Sequence, residues 1–184
     1  MRKYIFPFLL IILFAACQSN SSQKHIEQVD SLRFSFLAQE NWVFHPVFDS
    51  LQFWHNQWMM QQNTWSTVLD SSQQQQLKTE FPNYFALGEK MNLLIEQHQT
   101  LKTIYEVDVA NLSSLHAAIE NGASQDADGN PIDTQYWEES IARQSQHQDS
   151  VIKIIQAQIQ SANSWVEQTK LMYPLFQNKI KGKE

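Results

Sequence analysis

From Phe34 onward the apolar positions keep one phase. Phe34, Leu37, Phe44, Phe48, Leu51, Trp58, Trp65 and Leu69 fall at alternating steps of three and four, with Asn41, His55 and Gln62 filling the places between. That rhythm is one face of a helix at the coiled-coil period. Pro46 lies inside it, and a proline kinks or breaks a helix by removing a backbone bond. The phase continues across Pro46, so one kinked helix is expected. A break there would instead give two shorter helices and a four-helix bundle. Asp70-Ser71-Ser72-Gln73 reads as a capping box that opens a second helix. The Gln73–Gln76 run is then a solvated face in its first turn, and a kink is expected near Pro82.

The second stripe is Leu87, Met91, Leu94, His98, Leu101, Tyr105, Asp108, Leu112, Leu115 and Ile119, stopped by Asn121-Gly122. A polar connection follows, with Asp-Gly and Asn-Pro turn signals. Asp133 or Thr134 caps a third helix, whose stripe runs Ile141, Gln148, Ile152, Ile155, Ile159, Ala162, Val166, Thr169 and Tyr173. Pro174 is expected to end it, leaving 177–184 as a flexible basic tail with Lys179, Lys181 and Lys183. Helices of about 40 residues are about 60 Å long at 1.5 Å per residue. Three matched arms with short connections predict an all-α fold, an elongated antiparallel three-helix bundle with its first helix kinked at Pro46. One domain over 24–176 is expected. Folding the last hairpin about its loop sets Asp108 against His147 or Gln148, and His116 against Glu139. A carboxylate in an apolar seam needs such a partner.

Composition narrows the chemistry. The chain has only four Gly in 184 residues and, by count, 24 Gln, which suits long helices more than turn-rich β folds. The first residues have a different character. Met1-Arg2-Lys3 is a positive start, Tyr4 to Phe14 is almost wholly apolar, and Phe14-Ala15-Ala16-Cys17 closes the run with the chain's single cysteine. This is the plan of a secretory signal. The run is shorter than the roughly 20 residues a membrane-spanning helix needs.

A cysteine directly after the small pair resembles the lipobox of bacterial lipoprotein precursors, although Phe14 stands where Leu is usual. The resemblance covers the signal alone. It implies cleavage before Cys17 and acylation of that residue, a polar tether over 18–23, and a cell-envelope address. Gln18 in place of Asp leans, within that family, toward the periplasmic face of the outer membrane. Two or more acyl chains give stable anchoring. Cleavage would leave 168 of the 184 residues and, without Arg2 and Lys3, 11 basic against 19 acidic residues, a formal charge of −8. An acidic chain has no electrostatic case for nucleic acid. With Cys17 acylated, no thiol remains for disulfides, thiolate metal sites or nucleophilic catalysis.

Candidate sites are few. Residues 124–135 look like a worn EF-hand loop in which Asp126, Asp128, Asn130 and Asp133 could hold calcium. Ser124 and Gln135 stand where the opening Asp and closing Glu belong, so a plain acidic turn is the simpler reading. His55, Met59 and Met60 could form a copper(I) or haem ligand set, although single His and Met residues on a stripe are ordinarily core. No His pair, nucleophile elbow, phosphate loop or dinucleotide fingerprint occurs. No enzyme and no cofactor are expected. Nine aromatic residues crowd Phe34–Trp65. Phe36, Trp42, Phe53 and Trp54 fall off the stripe, which means either a wide stripe or an exposed patch. Trp42, Phe53 and Trp54 are thus candidates for a partner surface. The expected role is a structural or interaction lipoprotein that meets another envelope protein. Leu69-Asp70-Ser71-Ser72-Gln73 also resembles, in one copy and without its Thr, the Leu-Thr-x-x-Gln motif of the cradle-shaped periplasmic chaperones. That implies the alternative of a helical chaperone or ligand carrier.

Overall fold

A computed structural model describes residues 22–182, and these form an all-helical bundle. Among them there is no strand, and one isolated antiparallel bridge joins Gln125 and Pro131. The helices are α1 (22–37), α2 (Glu40–Val43), α3 (Val47–Val68), α4 (Ser71–Glu80), α5 (Pro82–Glu120) and α6 (Thr134–Lys181). The leader, Cys17 and the first tether residues lie outside the described residues, as do 183 and 184.

The prolines set several boundaries. The first arm is not one kinked helix, because the chain leaves the helix after residue 37, makes the single turn α2, and restarts at Pro46. A proline lacks the N–H that a first helical turn leaves unpaired anyway, so it starts a helix at little cost. His45 completes the start, its Nδ1 accepting from Val47 N at 3.1 Å. Pro82 likewise opens α5 rather than kinking a longer helix. It disfavours helical backbone at Phe81, whose φ of −124° and ψ of 47° end α4.

Pro174 behaves differently. It lies inside α6, which continues to Lys181, so the expected stop and the frayed start of the tail are corrected. An interior proline costs about 3 kcal/mol or more. Beyond it, Phe176 and Ile180 are buried. Phe176 stacks on Tyr84 at 4.6 Å and meets Phe81 and Phe85 edge-on. Each buried side chain of this size contributes about 1.5–3 kcal/mol, enough together to offset the proline. Lys179 adds an ion pair to Glu80 at 2.9 Å.

The caps follow their sequence signals. Asp70 and Gln73 exchange capping-box bonds of 2.9 and 3.0 Å. Gln74 is not merely solvated, because its Nε2 donates to Leu69 O at 2.9 Å and covers a carbonyl left free by the end of α3. Gly122 at φ 63° ends α5, with Ala123 N donating to Ala118 O and Gly122 N to Ile119 O. That is the Schellman arrangement, which requires a residue in the left-handed region. Asp133 caps α6 by accepting from Tyr136 N at 2.8 Å.

The chain divides into two compact units. The described part of the first is 22–40 with Tyr105–Val151. Its core includes Val29, Phe36, Tyr105, Leu112, Ile119 and Ile141. Here the expected phase of α1 is wrong: Phe36 is buried, whereas the stripe residues Phe34 and Leu37 are 78% and 41% exposed. The second unit is Asn41–Ile104 with Ile152–Glu184. Its core takes Phe48, Leu51, Trp58, Trp65 and Leu69 from α3 and the C-cap that ends it, Met91 and Leu94 from α5, and Ala162, Val166 and Phe176 from α6. The stripe is therefore correct from Phe48 onward.

Candidate functional site

In the second unit a cleft of about 230 Å³ lies between α3 and the end of α6. Gln57, Met60, Gln61 and Thr64 supply the α3 side, at helical spacings that bring them to one edge. Tyr173, Gln177, Ile180 and Lys181 supply the α6 side, which exists only because α6 passes Pro174. Tyr173 Oη donates to Gln57 Oε1 at 3.3 Å and accepts from Gln177 Nε2 at 3.4 Å. Gln61 is 6% exposed. Its Oε1 accepts from the hydroxyl of Tyr84, while its Nε2 has no partner among the described residues. Burial, helped by nearby Tyr173, pushes the Tyr84 phenol well above its ordinary range. Tyr84 is therefore a neutral donor at any physiological pH.

Two of the sequence candidates border this cleft. Trp54 is half-buried, its ring edge-on to Tyr173 at 5.5 Å, and Phe53 packs edge-on against Trp54 at 5.3 Å. Phe53 and Met60 are 52% and 62% exposed and, seven residues apart, share one face of α3 as an apolar ledge beside the cleft. Trp42 sits apart in sequence on α2, 37% exposed. The cleft holds amides, hydroxyls, a thioether and one lysine. That set can bind an extended, partly apolar chain by shape and hydrogen bonds, but offers no acid–base or nucleophile pair. Gln57, Gln61 and Gln177 escaped sequence reasoning because nothing separates them from the other glutamines. Among the lining residues, the stripe position of Tyr173 and the candidate Met60 pointed to this region, but neither pointed to a cleft.

His55 is half-buried and stacks on Trp58 at 5.9 Å, and burial lowers its pKa. Met59 is exposed, and Met60 belongs to the cleft. Among the described residues, no group of three or more His, Cys, Asp or Glu is arranged to hold a metal. In the 124–135 loop, Asp126 Oδ1 accepts from Asp128 N and Asn130 N at 3.0 and 2.8 Å, and Oδ2 accepts from Asn130 Nδ2 at 3.0 Å. The Asn130 side chain first, then the backbone amides, hold the Asp126 carboxyl below its usual range. Asp133 is engaged as the cap of α6. The loop closes as a small hairpin, with Asp126 N to Asn130 O at 2.9 Å and Ile132 N to Ser124 O at 3.0 Å.

Two polar seams run between the helices, one in each unit. In the first unit His147 Nε2 approaches Asp108 Oδ2 at 3.0 Å, the contact expected from the hairpin register. His116 does not meet Glu139. It turns to Asp30 on α1 at 3.4 Å and to Glu120, one turn further along α5, at 3.7 Å. In the second unit His98 lies flat on Phe48, ring centroids 3.4 Å apart, with Nδ1 3.4 Å from Gln158 Oε1. Burial is the main force lowering the His98 pKa; Lys102 adds to it, and Gln158, the Val43 carbonyl and Asp49 oppose it.

No protein-family model, curated protein or solved structure matches this chain, so its site must be read from its own chemistry.

Proposed function

We propose that this is a lipid-anchored cell-envelope protein that acts as a structural or protein-interaction module. The observation that carries the reading is Phe14-Ala15-Ala16-Cys17 at the end of a charged-then-apolar leader. The Phe53–Met60 ledge, with the Gln61 cleft beside it, supports a protein partner, because an exposed apolar edge next to an unpaired amide suits an extended peptide. For the architecture we propose three antiparallel arms, α5 and α6 being two of them. The partner is another envelope protein. The test has two parts. Intact mass of the purified protein should show acyl chains at Cys17, and Cys17→Ala should abolish them and release the protein from membranes. Cross-linking in cells should then capture one or two stoichiometric envelope proteins, lost on Phe53→Ser with Met60→Ser. A second reading, a chaperone or ligand carrier, draws on the same cleft through the unpartnered Gln61 amide. A broad, sub-stoichiometric set of clients would favour it and sink the scaffold.

A further inference from the structure

We infer that the end of the first unit formed by the start of α1, the 121–133 loop and the start of α6 rests on the membrane surface, with Tyr136 and Trp137 in the headgroup zone. The inference rests on acylation of Cys17. Its geometry comes from three contacts. Phe36 stacks on Tyr105 at 4.8 Å and Asp30 meets His116 at 3.4 Å, so α1 runs antiparallel to α5. Going back from Asp30 to residue 22 covers about 12 Å of helix, whereas going on from His116 to the end of α5 covers about 6 Å. The start of α1 therefore projects past α5, level with the loop. After the loop α6 returns antiparallel to α5, with His147 against Asp108, so α1 runs parallel to α6, and Gln148 Nε2 donates to Leu32 O at 3.1 Å. Stepping back equally along both helices sets residue 22 beside the first turn of α6.

The anchor then fixes which end faces lipid. Residue 22 follows Cys17 by five steps of chain, which reach at most about 18 Å. Phe34, the most exposed apolar side chain of α1, lies about 18 Å further along the helix. At the anchored end stand Tyr136 and Trp137, half-buried and edge-on to each other at 5.4 Å. Such rings, apolar with one polar tip, favour the membrane–water boundary. Asp126, Asp128, Asp133, Glu138 and Glu139 share this end, so the surface suits zwitterionic rather than anionic headgroups.

The test uses the full acylated protein in phosphatidylcholine vesicles. A single Ser124→Cys reports on the loop and a single Glu106→Cys on the opposite end of the unit, each carrying an environment-sensitive fluorophore. The expected result is a blue shift and quenching by nitroxide lipid at 124, neither of them at 106, and a smaller shift at 124 on Trp137→Ser. Acyl chains confirmed by mass with position 124 still in water would overturn the contact while leaving the anchor intact. Equal quenching at 106 would mean that the unit lies flat, and would overturn it too. A mass without acyl chains would remove the anchor and this inference together.

Discussion

Gly88→Ala puts two opposite effects on one position. In a helix interior, alanine is favoured over glycine by about 1 kcal/mol. A β-carbon at Gly88, however, would fall on the six-membered ring of Trp58. That ring cannot easily withdraw. Trp58 is 7% exposed, and its indole N–H donates to the carbonyl of Tyr84, one turn before Gly88, at 3.2 Å. Overpacking a filled core costs about 1–3 kcal/mol. Shifting the indole would also leave a buried donor unpaired, about 1–3 kcal/mol more. The steric terms win, and Gly88→Ala should destabilise by about 2 kcal/mol net. For a chain of this size that lowers the melting temperature by about 4–8 °C. Urea denaturation followed by helical circular dichroism measures it without relying on tryptophan emission. The sharper test is made in a Trp58→Leu background, where the obstacle is gone and the same Gly88→Ala should stabilise by up to about 1 kcal/mol. If Gly88→Ala stabilises the parent protein, or has the same sign and size in both backgrounds, the close packing of α3 on α5 at this point is refuted.

Further measurements probe other parts of the chain. Phe176→Ala should cost about 3–5 kcal/mol and its exposed neighbour Leu175→Ala under about 0.5; equal effects in thermal melts would mean that the helix beyond Pro174 is not anchored. His147→Ala, which leaves the 4%-exposed Asp108 without its partner, should destabilise by about 1–2 kcal/mol. Asp108→Leu should be neutral or stabilising in the same urea assay, and the reverse order would show that Asp108 is not a buried carboxylate. His98 is neutral when folded and its pKa is lowered, so below pH about 6.5 the unfolded chain binds a proton that the folded chain does not. Its contribution is complete above that pH and is lost as pH falls toward the folded value. The stability lost between pH 7.5 and 5 should therefore shrink in His98→Phe, and an unchanged loss would place the acid sensitivity elsewhere.

What could be read in advance follows from what periodicity encodes. In α5 every stripe residue from Leu87 to Asp108, then Leu112 and Ile119, is buried, with Leu115 half-buried. In α6 the stripe from Ile141 to Thr169 is buried or half-buried throughout. These helices are long and uninterrupted where the stripes lie, so a local 3.6-residue rhythm reports a face correctly. The same regularity made the hairpin register legible and brought Asp108 to His147. The caps were legible because Asp70–Gln73, Asp133 and Gly122 act through bonds to their own neighbours. The helix beyond Pro174 was not. Its stabilisation comes from Tyr84, Phe81 and Phe85 in distant sequence, and no local rule weighs a proline against such a cluster.

The failure at α1 has a different cause, and it changes where a partner surface should be sought. A heptad-like stripe can agree in phase on both sides of a break by coincidence, since a connector of any length leaves only a few possible offsets. Between residue 37 and Pro46 the chain turns twice, and the agreement there carried no information. In the first unit the buried positions of α1 are His25, Val29 and Phe36, a stripe that includes none of the residues read as its apolar face. Phe36 is therefore structural, not part of an exposed patch, and it accounts for one of the four aromatics left over by the expected stripe. Trp54 accounts for another, because it covers Tyr173. What remains outward on α3 beside the cleft is Phe53 with Met60, flanking an inner wall that is a glutamine with an unpaired amide. A patch of bare tryptophans would bind by area alone. This narrower combination demands hydrogen-bond acceptors beside an apolar side chain, and that is the reason to look for an extended peptide segment rather than a flat protein face.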